Sequence, residues 1–385
     1  MIDYMVIISG ISFACWVYLA LFHGNFWKPL LDDKEAPAPI LWPSIDIIIP
    51  ARNEADVLPQ SLPSILSQEY PGPWRVILID DHSTDGTSAI ALKVAEKIDR
   101  DNKLLIIRAP ELKDGWSGKL SALNAGASRS IGEYLLFTDA DILHPKDGLR
   151  RLVTKAVADK LDLHSLMVKL CCKSRAEKFL IPAFVHFFAL IYPFRLVRDR
   201  RSRVAAAAGG IMLIKQKALS NIGGLESIKS ALIDDCTLAA AVKKCGGENK
   251  SRGKILLTLT NDFFSLRPYD HLADIWHMIA RTAFTQLRYS ALLLLGTVLG
   301  LGFLFLAPIF AVSLCMPLIT ELGFATLIII FYTYMPMVRF YGLSSWWAFT
   351  LPAAVIVYLG ATIDSAIKYW QGNGGNWKDR AQAVK

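Results

Sequence analysis

Four apolar segments, roughly Met5 to Phe22, Ala291 to Ile319, Leu322 to Tyr341 and Trp346 to Ile363, bracket a long stretch of mixed polarity. Each approaches or exceeds the ~20 residues that a helix needs to cross a bilayer core. One chain of 385 residues must therefore satisfy two solvents. Composition agrees: with 53% hydrophobic residues, 20% charged residues and a mean hydropathy of +0.35, it is too apolar for a purely soluble protein and too charged for a pure membrane bundle. About 250 residues separate the first apolar segment from the rest, enough for one large globular domain. The first segment begins Met1-Ile2-Asp3-Tyr4 and ends in bulky Leu21-Phe22-His23, without a basic leader or a small-residue cleavage site. It reads as an uncleaved anchor. The six cysteines are scattered with no Cys-x-x-Cys spacing, so they imply neither a disulfide framework nor a zinc site.

After the linker Ala36-Pro37-Ala38-Pro39, short apolar runs (Ile45 to Ile49, Trp74 to Ile79, Leu104 to Ile107, Tyr134 to Phe137) alternate with helical patterns (Ala55 to Ser67, Asp85 to Ile98, Lys119 to Ser128). That alternation predicts an α/β fold on a mostly parallel sheet with right-handed crossovers. Ligands bind such sheets at the carboxyl ends of the strands. Acids collect there: Asp80 and Asp81 follow the second run, and Asp139-Ala140-Asp141 follows the fourth. Alternate residues of an extended segment point the same way, so Asp139 and Asp141 offer paired hard oxygens suited to Mg²⁺ or Mn²⁺ carrying phosphate. Asp80 and Asp81 can accept hydrogen bonds from a nucleobase imide or a ribose hydroxyl. Ser83 and Asp85 read as N-caps of the next helix.

Gly118-Lys119 lacks the Walker spacing and is not a P-loop. A lysine at a helix N-terminus runs against the macrodipole, which points to a compensating anion, here expected to be a diphosphate. Gly209-Gly210 reads as a close backbone approach or bulge within a strand. Asp234-Asp235 opens a helical run, where an acid is either a cap or a working carboxylate. Net charge is +8. Arg195, Arg198, Arg200, Arg201 and Arg203 follow an aromatic stretch, Phe179 to Phe194, and fit a segment lying on an anionic leaflet or a solvated loop. No recognition helix or aromatic single-strand platform accompanies them, so nucleic acid is not expected as a partner.

Taken together, Pro50-Ala51-Arg52-Asn53-Glu54, Asp80-Asp81-His82-Ser83-Thr84-Asp85, Gly118-Lys119 with Ala122-Leu123-Asn124, Asp139-Ala140-Asp141, Gly209-Gly210 and Asp234-Asp235 resemble the family 2 glycosyltransferases of the ceramide glucosyltransferase type. The N-terminal span, the run Arg281 to Tyr289 and the C-terminal spans look most like the bacterial hopanoid (hopene)-associated members. The resemblance covers about Ile45 to Tyr289. It implies a GT-A fold, a nucleotide-sugar donor (a UDP-sugar), a Mg²⁺ or Mn²⁺ cofactor, and inverting transfer of one sugar to a lipid hydroxyl such as a hopanoid. Donor contacts would fall on Pro50, Arg52, Glu54, Asp80 or Asp81, Lys119 and Asp139. The metal would fall on Asp139 and Asp141. Asp235, beside Asp234, would be the general base. Acceptor and membrane contacts would involve Gly209, Gly210, Arg281, Gln286, Arg288 and Tyr289. Relatives that build polymers carry Gln/Arg-x-x-Arg-Trp where this chain has Thr285-Gln286-Leu287-Arg288-Tyr289, which favours a single transfer over processive synthesis.

The expected organisation is an anchor over 1–24, a linker over 25–43, a cytoplasmic catalytic domain over 44–269, an interfacial helix over 270–290, transmembrane segments over 291–364 and a basic tail over 365–385, set in a bacterial inner membrane. Lys28, Lys34 and the arginine cluster agree with a cytoplasmic middle, whereas three C-terminal spans would leave Lys368, Lys378, Arg380 and Lys385 outside. Either the tail is an exception or one segment is re-entrant, with Pro308 and Pro317 marking the first of the three. A polyprenyl-phosphate or ceramide-like acceptor, and a catalytically silent scaffold of the same fold, are the rival readings.

Overall fold

The structure, a computed structural model, describes residues 2–32, 36–231 and 233–372, and the backbone of residues 376, 377, 380 and 381. Lys34 and the tail residues Lys378 and Lys385 lie outside the described residues, as do the side chains of the tail beyond Gly372. The chain divides into two compact units: a sheet unit of Leu30–Cys171, Leu196–Arg267 and Asn376–Lys385, and a helical unit of Met1–Pro29, Cys172–Arg195 and Pro268–Gly375.

The strands of the main sheet are β1 (Ile45–Ala51), β2 (Trp74–Asp80), β3 (Leu104–Arg108), β4 (Tyr134–Thr138), β5 (Ile142–Leu143), β6 (Leu163–Lys169), β7 (Ile211–Lys215) and β8 (Ile255–Ser265), and the short strands β9 (Asn376–Trp377) and β10 (Arg380–Ala381) pair with each other apart from it. The helices are α1 (Ile2–Phe22), α2 (Leu58–Leu66), α3 (Thr87–Lys97), α4 (Gly118–Ser128), α5 (Gly148–Ala158), α6 (Arg175–Ile191), α7 (Phe194–Arg198), α8 (Gln216–Asn221), α9 (Asp234–Cys245), α10 (Leu272–Gln286), α11 (Ala291–Ser313), α12 (Pro317–Phe340) and α13 (Leu351–Trp370).

The eight strands form one mixed sheet in the order β3-β2-β1-β4-β7-β6-β8-β5. β1 pairs in parallel with β2 and β4, and β2 with β3, which is the parallel half that the alternation predicts. β7 enters antiparallel between β4 and β6, so its start lies at the same edge as the end of β4. β1 and β4 are buried along their whole length, as strands covered on both faces must be. Asp46 is the polar exception on β1. It is 2% exposed and accepts from Arg75 Nε and Ser130 Oγ, each at 2.7 Å, and from the Ile131 and Gly132 amides at 2.7 and 3.0 Å. These donors hold its pKa below the usual value even though burial pushes it up.

Chain order reverses at β1, with β2 on one side and β4 on the other, which makes the crevice between them the ligand site of an open sheet. Pro50 shapes it. The sequence places this proline after the strand, but β1 continues to Ala51. The Ile45 amide and the Ala51 carbonyl both point to the β2 side, so by alternation the Pro50 nitrogen faces β4. Pairing with β4 stops at Ile48↔Phe137, just before a residue that has no N–H to give.

Among the described residues of the helical unit, four helices are long and apolar enough to cross a membrane: Asp3–Phe22, Ala291–Ser313, Pro317–Phe340 and Ser345–Trp370. The apolar segment expected to run from Ala291 to Ile319 instead ends at Ser313, and Pro317 opens the next helix at its first turn, where a missing N–H costs nothing. Pro308 does not break α11. It removes the hydrogen bond to the carbonyl four residues back, Leu304, and the indole Nε1–H of Trp16 donates to that carbonyl at 2.7 Å.

Candidate functional site

Four chain segments converge at the carboxyl edge of the sheet, and each arrives for a local reason. Asp139 and Asp141 follow β4 directly. The β7 start brings Gly209 and Gly210 to the same edge, where the Gly210 carbonyl accepts from the Asp139 amide at 3.3 Å. The glycine pair thus precedes the strand, which begins at Ile211, rather than lying within it as expected. The N-termini of α4 and α9 supply Lys119 and the Asp234-Asp235 pair. Ser117 caps α4 by accepting from the Leu120 amide at 3.3 Å.

Lys119 Nζ lies 2.6 Å from Asp139 Oδ1. The anion beside this lysine is thus a carboxylate of the protein itself. Burial pulls against the Lys119 charge, but Asp139, Asp234 and Asp235 outweigh it and raise its pKa. Asp235 Oδ2 accepts from the Gly209 amide at 2.9 Å, and its Oδ1 accepts from the Cys236 amide at 2.7 Å. Burial, then Asp234, pushes Asp235 up to about 6, against the two amides and Lys119. A carboxylate with that pKa is largely ionised at neutral pH yet basic enough to take a proton. A Cβ at Gly209 would stand 3.3 Å from Lys119 Nζ and 3.4 Å from Asp235 Oδ2, so these side chains would have to shift by a few tenths of an ångström to admit it.

Asp141 is 7% exposed, and its Oδ2 accepts from Ser265 Oγ at 2.9 Å and faces Arg267 Nε at 3.6 Å. β5 pairs with the end of β8, which is why these residues meet. Burial, then Asp139, raises the Asp141 pKa, with Arg267 and Ser265 opposing. A buried carboxylate raised by burial and by a second carboxylate beside it marks a position for a cation. Among the described residues, no group of three or more His, Cys, Asp or Glu is arranged to hold an ion. Two carboxylates are nevertheless the protein share that Mg²⁺ takes when substrate phosphates complete its shell, so the donor set fits such an ion. Arg267 also reaches Glu54 Oε1 at 3.7 Å. Ser265 and Arg267 escaped the sequence reading. Their signal was present in Ile255 to Thr260, a β-rich run that ends, like the others, in polar residues.

The second strand end divides its work. Asp80 accepts from the Ser83 amide at 2.8 Å and from Ser88 Oγ, and these hold its pKa low against burial. It pins its own loop. Asp81 is 2% exposed, and Arg52 Nη1 donates to its carbonyl at 2.7 Å and lies 3.9 Å from Oδ2. Gly86, at φ 83°, rather than Ser83 or Asp85 holds the N-cap position of α3, although Asp85 Oδ1 does accept from the first helical amide, Thr87, at 3.0 Å. Ser83 Oγ accepts from the Asn53 amide at 3.0 Å and Asp85 Oδ2 from the Ala55 amide at 2.9 Å, so both fasten the β1 loop to the β2 loop. The Glu54 amide donates to Thr87 Oγ1 at 3.0 Å in the same seam.

The remaining expected interface residues lie in the helical unit, apart from Gly209 and Gly210. Arg281 and Gln286 are exposed on α10, and Gln286 Oε1 accepts from Tyr192 Oη at 3.0 Å. Arg288 and Tyr289 are not on the helix as expected. α10 ends at Gln286, and both residues turn through left-handed backbone at φ 51° and 56°. The Tyr289 ring then stacks on Tyr369 at 4.3 Å. In the arginine cluster, Arg200 Nη2 donates to the Arg252 carbonyl at 2.8 Å, so that member is tied to a neighbouring loop.

Residues 46–223 match the model of the family described as Glycosyl transferase family 2. Similar curated proteins include "Probable glycosyltransferase YdaM" of Bacillus subtilis, 27% identical over 53% of this chain and 47% of its own length. An "N-acetylglucosaminyltransferase" of Azorhizobium caulinodans is 26% identical over 48% of this chain and 45% of its own. A "Beta-monoglucosyldiacylglycerol synthase" of Nostoc sp. is 27% identical over 55% of this chain and 43% of its own. The chain thus spans about half the length, or less, of these relatives. Among solved structures, mannosyltransferase PcManGT from Pyrobaculum calidifontis in complex with GDP-Man and Mn²⁺ superimposes with a TM-score of 0.58 at 20% identity, covering 95% of this chain and 99% of that one. The sheet unit has a GT-A-like α/β fold.

Proposed function

We propose that the glycosyltransferase family 2 domain found over residues 46–223 works, with the Asp234-Asp235 turn beyond it, as an inverting transferase that moves one sugar from a nucleotide-sugar donor to a lipid hydroxyl. The observation that carries this reading is the carboxyl-edge cluster in which Asp235, its carboxylate held by the Gly209 and Cys236 amides and its pKa pushed up to about 6 by burial and Asp234, stands with Lys119, Asp139 and Asp141. Single displacement at an anomeric carbon needs a base for the acceptor proton and positive charge for the departing diphosphate. Asp235 takes the proton from the acceptor hydroxyl. Lys119 shifts from Asp139 toward the phosphates as they enter. Asp81, steadied by Arg52, orients the nucleobase, with Asp80 and Glu54 shaping the pocket wall. A Mg²⁺ or Mn²⁺ on Asp139 and Asp141 would supply electrophilic stabilisation of the leaving diphosphate.

Four membrane-length helices and the lipid named for the cyanobacterial relative support a lipid acceptor. The sequence resemblance makes a hopanoid the first choice, with the domain on the cytoplasmic side of a bacterial inner membrane. The donor base is taken as uracil on the same resemblance, and the guanine of the archaeal complex makes GDP-sugars the parallel case to test. Membranes containing the full chain, or its Asp235→Asn variant, are incubated with radiolabelled UDP- and GDP-sugars, and the lipids are extracted and identified by mass spectrometry. A labelled lipid made by the native chain and lost in the variant supports the reading. No difference between active and variant membranes makes the protein a silent scaffold.

A further inference from the structure

We propose that Lys243 is a positioning residue for Asp235: by clamping an irregular strap, residues 199–208, along α9, it keeps the Gly209 amide on the Asp235 carboxylate. The inference rests on the reading of Asp235 as the base.

The strap has neither helix nor strand, yet Ala206, Ala207 and Ala208 are buried. Buried backbone outside a ladder has to find its partners singly. It finds them on α9, on the loop beyond α9 and on β6. At the lower end Lys243, 4% exposed, donates from Nζ to the Val204 carbonyl of the strap and to the carbonyls of Leu196 at 3.0 Å and Val197 at 2.7 Å in α7, so it ties the strap to the helix that leads into it. An ammonium has three donors and no acceptor, so the set is complete. Arg252 Nη1 adds the carbonyls of Arg200 at 2.6 Å and Arg201 at 3.3 Å. Further along, Cys236 Sγ reaches the Ala207 carbonyl at 3.6 Å. Ser165 Oγ donates to the Ala208 carbonyl at 3.1 Å and accepts from the Ala208 amide at 2.8 Å. At the upper end the Gly209 amide donates to Asp235 Oδ2 at 2.9 Å.

Lys243 sits more than two turns from Asp235, about 12 Å along the helix axis, and cannot touch reacting atoms. Its influence runs through the strap. Burial lowers its pKa to about 8, with Asp199 opposing and Arg252 reinforcing that shift, so the charge is kept under cover at a cost. A methionine would fill the volume of the stem but supply none of the three N–H groups. The Gly209 amide, with the Cys236 amide and Lys119, holds the Asp235 pKa down against burial and Asp234. A slack strap withdraws that donor, and Asp235 rises further.

The test uses the full chain in detergent, ¹³C-labelled at the aspartate carboxyls, with the Asp235 signal assigned by comparison with Asp235→Asn. In Lys243→Met the Asp235 midpoint should move up by about half a pH unit or more, and in Arg252→Gln by less in the same direction. Deuterium exchange at the Gly209 amide should quicken by about tenfold or more in Lys243→Met. The acidic limb of turnover should follow the Asp235 midpoint. Arg252 is exposed, so its variant carries the test if Lys243→Met does not fold. An unmoved Asp235 midpoint with unchanged Gly209 exchange in the folded variants overturns the proposal. A midpoint that moves while the turnover limb ignores Asp235 leaves the strap standing and removes the base assignment instead.

Discussion

The 2.6 Å contact of Lys119 Nζ with Asp139 Oδ1 makes the lysine a counter-ion that the site already owns. Asp141, 7% exposed and raised by burial and by Asp139, faces the Arg267 guanidinium at 3.6 Å. A diphosphate entering this cluster meets net negative charge unless a dication accompanies it. Calorimetric titration of UDP and of GDP should therefore show at least about tenfold tighter binding with Mn²⁺ or Mg²⁺ than with chelator. Equal affinities would remove the cation from the account.

Asp235→Asn should leave nucleotide affinity within about twofold and reduce transfer by about 10²-fold or more, the range for a lost general base. The native turnover should rise with pH through about 6, as the base ionises. Stability runs the other way. The folded state holds this proton to about pH 6 and the unfolded chain only to 3.8, so stability falls as pH rises between them. The amide mimics the protonated acid, and Tm of Asp235→Asn at pH 7 should exceed the native value. A lower Tm together with lost nucleotide binding would make Asp235 a structural cap.

Asp46 titrates in the opposite sense. Its pKa is lowered in the folded state, so its contribution is present above the unfolded value of 3.8 and is lost as pH falls through the lower, folded one. Asp46→Ala strands the Ile131 and Gly132 amides and the Arg75 guanidinium, and should cost about 3 kcal/mol at pH 7 by denaturant melts of the sheet unit's fluorescence. That deficit should shrink in acid. A constant deficit from pH 7 to pH 3 would show that only shape matters at this position.

Gly126→Ala should be destabilising by about 1–3 kcal/mol, because a Cβ there would stand 2.5 Å from Ile48 Cγ2 in the middle of β1. Gly209→Ala should fold normally and slow transfer about tenfold, since its Cβ meets the movable ends of Lys119 and Asp235 rather than core. Circular dichroism melts and transfer assays on both variants separate the two effects, and reversed outcomes would contradict the geometry.

Much of the site could be read because β1, β2 and β4 are apolar runs with acids at their ends, and burial on both faces leaves that pattern no alternative. The far half of the sheet was harder. β6 carries His164 and Ser165 in buried positions, and β8 alternates threonine with leucine, so neither is as plainly apolar as Ile47-Ile48-Ile49 of β1. Asp46 escaped notice because its partners, Arg75, Ser130 and two amides, come from loops distant in sequence. A cap was misread where the side chain serves a neighbouring loop, as Ser83 does. Spans were placed well by apolarity, but their ends were not, because Pro308 looks like a break until Trp16 supplies what it lacks.

Pro50 gives the crevice a permanence that a ligand could not. Two parallel strands that diverge at their tips would ordinarily anneal further, one amide at a time, whenever the gap stood empty. An imino nitrogen facing that gap ends the annealing, so the mouth of the pocket is written into covalent chemistry and does not have to be reopened between turnovers.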